Sequence, residues 1–194
     1  MTDEEVLEQC NKISGWMFDD ELLWLYQQAQ SADVIVEIGV WQGRSTTALC
    51  LGTPGTVYAI DHWQGSPAEL GDAHQMMTIP DGRYQVFSKA IENLFPLIDQ
   101  GKCVPLTLAS YDAALLIGPM LQDIGGADMI FLDGGHDAES FREDLIVWSE
   151  HLREGRMICG HDRHWPGVQS VLNEVLPGYK SGPGSIWFHI GGQS

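Results

Sequence analysis

Several segments of the chain end in groups that can do chemistry. The segment VIVEIGVWQGRST (Val34 to Thr46) carries a carboxylate, Glu37, inside a β-branched run, then glycines at Gly39 and Gly43 before a helix start. A charge buried in an apolar strand is expensive unless paired, and a cationic ligand amine is one natural partner for Glu37. Glycine is needed where backbone turns sharply or comes within contact of a ligand. The Gly-x-x-x-Gly spacing departs from the Gly-x-Gly-x-x-Gly of a dinucleotide-binding turn. Asp61 closes the next strand-like run, TVYAID. A carboxylate at that place accepts hydrogen bonds from ribose hydroxyls; a turn or helix-cap aspartate is the alternative. LDGGHD (Leu132 to Asp137) and CGHDRHW (Cys159 to Trp165) bring Asp133, His136, His161 and Asp162 to two further strand ends. Oxygen ligands suit Mg²⁺, and a histidine among them shifts the preference toward Mn²⁺, Fe²⁺ or Zn²⁺. Asp133, His161 and Asp162 are the expected metal ligands, with His136 a ligand or general base. The competing reading has these aspartates only orienting loops and capping helices.

The elements that must position these groups alternate. Phe18 to Gln30 has apolar residues at helical spacing behind a cap at Asp19 or Asp20. Asp33 to Ile38 reads as a central parallel strand, Ser45 to Leu51 as helix and Thr56 to Asp61 as strand. His62 to Pro80 lacks a regular pattern and is long enough for a lid or substrate loop, or an irregular surface helix. Helix (Tyr84 to Leu97), strand (Lys102 to Leu108), helix (Tyr111 to Leu121), strand (Ala127 to Asp133), helix (Ala138 to Leu152) and strand (Arg156 to Gly160) follow. After a helix from Pro166 to Val175, the glycine-rich GYKSGPGS leaves little room for a crossover before SIWFHI (Ser185 to Ile190), so the last strand is expected antiparallel. The expected fold is α/β, a Rossmann-like doubly wound sheet, mostly parallel with an antiparallel C-terminal strand. Residues 1–194 read as one domain, with 1–31 a helical cap and 32–194 the core.

Composition narrows the function. With 27 Asp+Glu against 10 Lys+Arg, a net charge of −17 disfavours nucleic acid and anionic membrane surfaces. No apolar run approaches a bilayer span and the acidic N-terminus does not resemble a secretory signal, so a cytoplasmic location is expected. Cys10, Cys50, Cys103 and Cys159 form no CxxC pair, indicating neither a zinc site nor a disulfide framework. Arg153, Arg156, His161, Arg163 and His164 cluster, hinting at an anionic substrate group or else at salt bridges with the acidic surface. Trp16, Trp24 and the Trp63 loop could supply a contact patch for a homo-oligomer.

Taken together, VIVEIGVWQGRST, AIDHW, IFLDGGHDAESFREDLIVWSEHLREGRMICGHD and WPGVQSVLNE resemble the class I S-adenosylmethionine (SAM)-dependent methyltransferases. The likeness is to the small branch of cephalosporin-biosynthesis and macrolide-sugar O-methyltransferases, and more distantly to catechol O-methyltransferase. It covers nearly the whole chain from Ile13. The resemblance implies that Glu37 and Gly39 contact the methionine end of SAM, Trp41 and Gly43 shape the loop, and Ser45 bonds the carboxylate end. It implies Asp61 on the ribose, His62 beside the adenosine, Ser110 near the adenine, and Asp133 shared between cofactor and metal sites. Two departures stand out. Metal-dependent members carry an acidic pair where this chain has His161 and Asp162, and the sugar enzymes carry an aspartate base where it has Gly135. His136 is the nearest replacement. The expectation is O-methylation of a small hydroxylated, sugar-like or anionic acceptor, assisted by Mg²⁺ or Mn²⁺, with His136 and Asp133 catalytic. An NAD-dependent oxidoreductase and a non-catalytic SAM-binding or partner-binding protein are the competing classes.

Overall fold

The computed structural model describes residues 1–65 and 81–191. Beyond Gly65, the lid expected over His62 to Pro80 falls outside the described residues. The described helices are α1 (Asp3–Cys10), α2 (Asp19–Ala29), α3 (Arg44–Gly52), α4 (Gly82–Asp99), α5 (Ser110–Asp123), α6 (Ala138–Ser149) and α7 (Pro166–Val175). The strands are β1 (Val34–Ile38), β2 (Thr56–Ile60), β3 (Cys103–Leu106), β4 (Ala127–Leu132), β5 (Leu152–Gly160), β6 (Lys180–Ser181) and β7 (Trp187–Ile190). They form one sheet in the order β3-β2-β1-β4-β5-β7-β6. The first five strands are parallel, and β7 pairs antiparallel to both β5 and β6.

The sheet is the doubly wound one that the alternating pattern predicts. β4 is buried at every position, as a strand covered on both faces must be. One apolar layer joins α1 to α4 to the sheet through Leu22, Leu25, Leu49 and Leu94; the other joins α5 to α7 through Ile117, Leu145, Trp148 and Leu172. Strand order reverses between β1 and β4, so a crevice opens outside their carboxyl ends. No described helix is long and apolar enough to cross a membrane.

Local departures from the sequence reading have identifiable causes. α2 is not capped by Asp19 or Asp20; Glu21, one turn in, accepts the Phe18 N–H at 2.7 Å. β5 begins at Leu152 rather than Arg156, because Ala127 pairs with Leu152 across an irregularity ahead of the regular register from Met129. A two-residue strand, β6, extends the antiparallel edge to a hairpin that the glycine-rich stretch concealed.

The basic cluster is also reassigned. Arg153 and Arg156 both bond Asp128 Oδ1, at 2.6 and 3.2 Å, while Asp128 Oδ2 accepts the Asp33 and Val34 amides. This joint lies at the amino end of the sheet, opposite the crevice. Arg163 is directed at the carbonyls of Gly184 and Ile186. Of the tryptophans expected in a contact patch, Trp63 is buried, its indole N–H donating to the Trp41 carbonyl at 2.8 Å, while Trp16 is exposed. Asp128 is the test of the amino-end joint. Asp128→Ala should cost about 2–3 kcal/mol in urea unfolding, the partly solvated arginine heads moderating the loss, with activity per folded molecule retained.

Candidate active site

The crevice deepens into a cavity of about 620 Å³. Gly39, Trp41 and Asp61 come from the ends of β1 and β2, Ser110 and Tyr111 from the start of α5, and Asp133, His136, Asp162 and Trp165 from the far side; Trp16 and Met17 close it from the N-terminal segment.

At the first turn the chain requires glycine. Gly39 has φ +89°, and a β-carbon there would stand 2.0 Å from the Asp133 carbonyl oxygen. β1 and β4 can therefore converge only without a side chain at this position. Gly43 also has positive φ, but its missing β-carbon makes room for Leu94 of α4, a packing role remote from the cavity. Asp61 clamps the same turn. Its Oδ2 accepts the Val40 and Trp41 amides, both at 3.0 Å, and its Oδ1 accepts the Trp63 amide at 2.6 Å. It still lines the cavity, so the lone pair left on Oδ1 is available to a hydroxyl donor. Trp41 is held at φ +53°, an unusual conformation for a bulky residue, with its ring against Trp16.

Glu37 lies fully buried outside the cavity lining, and its Oε1 accepts the Ser45 hydroxyl at 2.6 Å. Ser45 lines the cavity, but its hydroxyl proton is already committed to Glu37. Burial pushes the Glu37 carboxyl up to about 8 against the opposing hydroxyls of Ser45 and Thr46. Ser110 is committed in a similar way, its Oγ accepting the Trp148 indole N–H at 2.8 Å. His62 stands exposed at the rim, its Nδ1 accepting the Gln64 amide.

The acid-base groups assemble at the ends of β4 and β5. His136 Nε2 meets Asp162 Oδ2 at 2.7 Å, and the imidazole stacks on Trp165 with centroids 4.8 Å apart. Ligand atoms of Asp133, His136 and Asp162 lie within 4.8 Å of one another. His161, expected in that set, points its Nε2 at Glu21 Oε1 (3.0 Å) and its Nδ1 at Asp162 and Asp133 (3.3 and 3.6 Å). Both ring nitrogens thus face carboxylates. Burial alone would lower its pKa, but Asp133, Asp162 and Glu21 overcome that and hold it up at about 11. Carboxylates facing both ring nitrogens favour the charged imidazolium, and it is His136 whose ligand atom clusters with those of the two aspartates. Asp133 is pushed upward by burial, against the attraction of His161. Asp162 is held low by His136 and His161 despite burial.

Two buried acids beside the site escaped the sequence reading. Glu21 joins α2 to the site and also accepts the Ser185 amide at 2.7 Å. Asp144 lies at the cavity wall on α6. Both occupy apolar stripes, Glu21 with Leu22 and Leu25, Asp144 with Phe141, Leu145 and Trp148. An acid in such a stripe is the same signal that singled out Glu37.

The crevice at the strand-order reversal, the glycine turn after β1 and the antiparallel β7 together define the class I methyltransferase fold. A family described as a methyltransferase domain matches residues 36–163, and the chain belongs to that family. Solved structures agree at the level of fold. An O-methyltransferase from Bacillus cereus, in complex with SAH, is 18% identical with a TM-score of 0.63, the match covering 97% of this chain and 90% of that one. The calicheamicin methyltransferase CalS11 is 15% identical, TM-score 0.65, covering 98% and 91%. The O-methyltransferase TomG from Streptomyces achromogenes, involved in tomaymycin synthesis and in complex with SAM, is 16% identical, TM-score 0.60, covering 98% and 89%.

Glu37 generates a pH prediction. Its carboxyl titrates near 8 when folded and near 4.5 as an ordinary glutamate, so the folded chain keeps a proton that the unfolded chain releases between those values. The stability it contributes is complete below the lower value and is lost as pH rises through the upper one. Thermal melts of the ligand-free protein at about pH 5 and about pH 8.5 should show the wild type losing more stability than Glu37→Gln.

Proposed function

We propose that this methyltransferase transfers the methyl group of SAM to a hydroxyl of a small acceptor. The observation that carries the reading is the pairing of His136 with Asp162 on the same cavity wall as Asp133, facing the Gly39 turn. SAM supplies a methyl on a sulfonium, open to in-line displacement, so the chain must orient the acceptor and remove its proton. His136 is the base that takes the hydroxyl proton. Asp162 orients the imidazole and stabilises its charged form, as a carboxylate does for a catalytic histidine. Trp165 fixes the ring plane from the other side.

The cofactor occupies the Gly39 turn in this reading, with Asp61 accepting a ribose hydroxyl and Glu37, protonated in the ligand-free protein, ionising behind Ser45 as the amine arrives. Gly39 and Trp41 shape the loop, His62 borders the adenosine, and Asp133 serves both cofactor and acceptor. The acceptor is small, hydroxylated and sugar-like; the indoles of Trp16 and Trp165 give the cavity flat apolar faces suited to sugar rings. With Arg153 and Arg156 bonded to Asp128, an anionic acceptor group has no support from that cluster. The four free, buried cysteines suit a reducing cytoplasm.

The grouping of Asp133, His136 and Asp162 favours a second reading in which they hold a divalent ion. Two carboxylates and an imidazole fit Mn²⁺ or Fe²⁺ better than Mg²⁺. Such an ion would lower the pKa of a bound acceptor hydroxyl. His136 would then be a ligand, and His161, facing carboxylates with both nitrogens, stays outside the set.

Calorimetry with SAM tests the cofactor reading: the wild type should bind and Asp61→Ala should bind at least about tenfold more weakly. No binding by the wild type, or equal binding by the variant, refutes it. For the base, His136→Ala should lower kcat by about 10² to 10⁴ while leaving the Kd for SAM unchanged. Turnover that survives exhaustive chelation keeps the base reading; activity abolished by chelator and restored by Mn²⁺ selects the metal reading.

A further inference from the structure

The cavity runs from the His136–Asp162 pair to a second end beside the start of α5, where Leu108, Ala109 and Tyr111 form its wall. Two carboxylates of α6, Glu143 and Asp144, line the cavity, and of the two only Asp144 is buried. Its place on the helix is one that packing would give to an apolar residue, since Phe141, Leu145 and Trp148 share the buried stripe. Among the described residues the donor beside it is the Ser110 hydroxyl. Ser110 in turn accepts the Trp148 indole N–H at 2.8 Å. The relay Trp148 to Ser110 to Asp144 leaves the carboxylate with acceptor capacity still open. Access to it is kept by a missing side chain: Asp144 Oδ2 lies 3.4 Å from where a β-carbon at Gly134 would stand.

A buried carboxylate short of donors costs free energy until a donor arrives. Its neighbours Glu143 and Asp137 are themselves acidic and cannot supply one. The apolar wall beside it suits a flat heterocycle, and the end lies past the Asp61 ribose position, away from the reacting groups. We propose that Asp144 accepts a hydrogen bond from the exocyclic amine of the cofactor's adenine and selects an amino-purine over an oxo-purine. This deepens the cofactor reading above and rests on it. Ser110, assigned to the adenine by sequence resemblance, becomes a positioning residue that orients Asp144. Burial, which pushes the Asp144 carboxyl up to about 6 against the Ser110 hydroxyl, accords with a site short of donors.

The test is calorimetry of the full chain with S-adenosylhomocysteine and with its deaminated analogue S-inosylhomocysteine, which presents an oxygen in place of the amine. Wild type should prefer the adenosyl compound by at least about tenfold, because an oxo group set against a carboxylate leaves both without a donor. Asp144→Asn, which can rotate to offer either an oxygen or an amide N–H, should shrink that ratio to within about threefold. Equal binding of the two compounds by wild type overturns the assignment, as does an unchanged ratio in folded Asp144→Asn. If the variant does not fold, the wild-type ratio decides alone. If wild type binds neither compound, the cofactor reading itself falls and this assignment with it, whereas tight but indiscriminate binding removes only the role of Asp144.

Discussion

One buried imidazolium holds the reactive end of this molecule together. Asp133, Asp162 and Glu21 converge from β4, the turn after β5, and α2, and three carboxylates at such range would repel one another without a cation among them. His161 is that cation, with its two ring nitrogens divided between Glu21 on one side and the aspartate pair on the other. The same Glu21 carboxylate takes the amides of Phe18 and Ser185, so the start of α2 and the loop before β7 are tied to the strand end that presents Asp162. Gly184 belongs to this joint too, since a β-carbon there would strike the Glu21 carboxylate. The histidine at position 161 thus serves the frame as well as the site: with carboxylates facing both ring nitrogens, it leaves His136 as the imidazole clustered with Asp133 and Asp162.

The sheet was legible because periodicity and composition report burial directly. β1 and β4 are continuous apolar runs, the intervening helices carry amphipathic stripes, and the short glycine-rich link before β7 excludes a crossover. Strand ends were legible too, which is why Gly39, Asp61, Asp133, His136 and Asp162 meet in one crevice. What stayed hidden was how each polar group is spent. Nothing local to Ser45 or Ser110 tells that their hydroxyls are engaged by Glu37 and Trp148. The basic cluster misled for the same reason: Arg153 and Arg156 stand a few positions from His161 in sequence, but the intervening strand carries them toward the opposite end of the sheet. Spacing along a strand separates residues as surely as spacing along a helix gathers them.

The buried acids differ in how plainly the sequence displays them. Glu37 stands out because it interrupts a β-branched strand. Glu21 and Asp144 interrupt helical stripes, where a period of three to four residues disguises the interruption unless the face is traced. All of them lie within reach of the crevice, while Asp128, equally buried, closes the far end of the sheet with arginines. Burial of a carboxylate therefore marks a place where charge is managed, and only the topology says whether the management serves the site or the frame.

The Glu21 joint also bears on how the chain reaches its folded state. It connects residues 140 and 164 positions apart, among the most distant pairings in the molecule. Contacts of such sequence separation carry a large loop-closure entropy and form after local structure has been laid down. The N-terminal helices pack on α3 through Leu22, Leu25 and Leu49, and the Glu21 joint adds to that packing a tie to the ends of β5 and β7. The corner that bears Asp133 and Asp162 is thereby tied to the whole length of chain between α2 and β7 rather than to any single element.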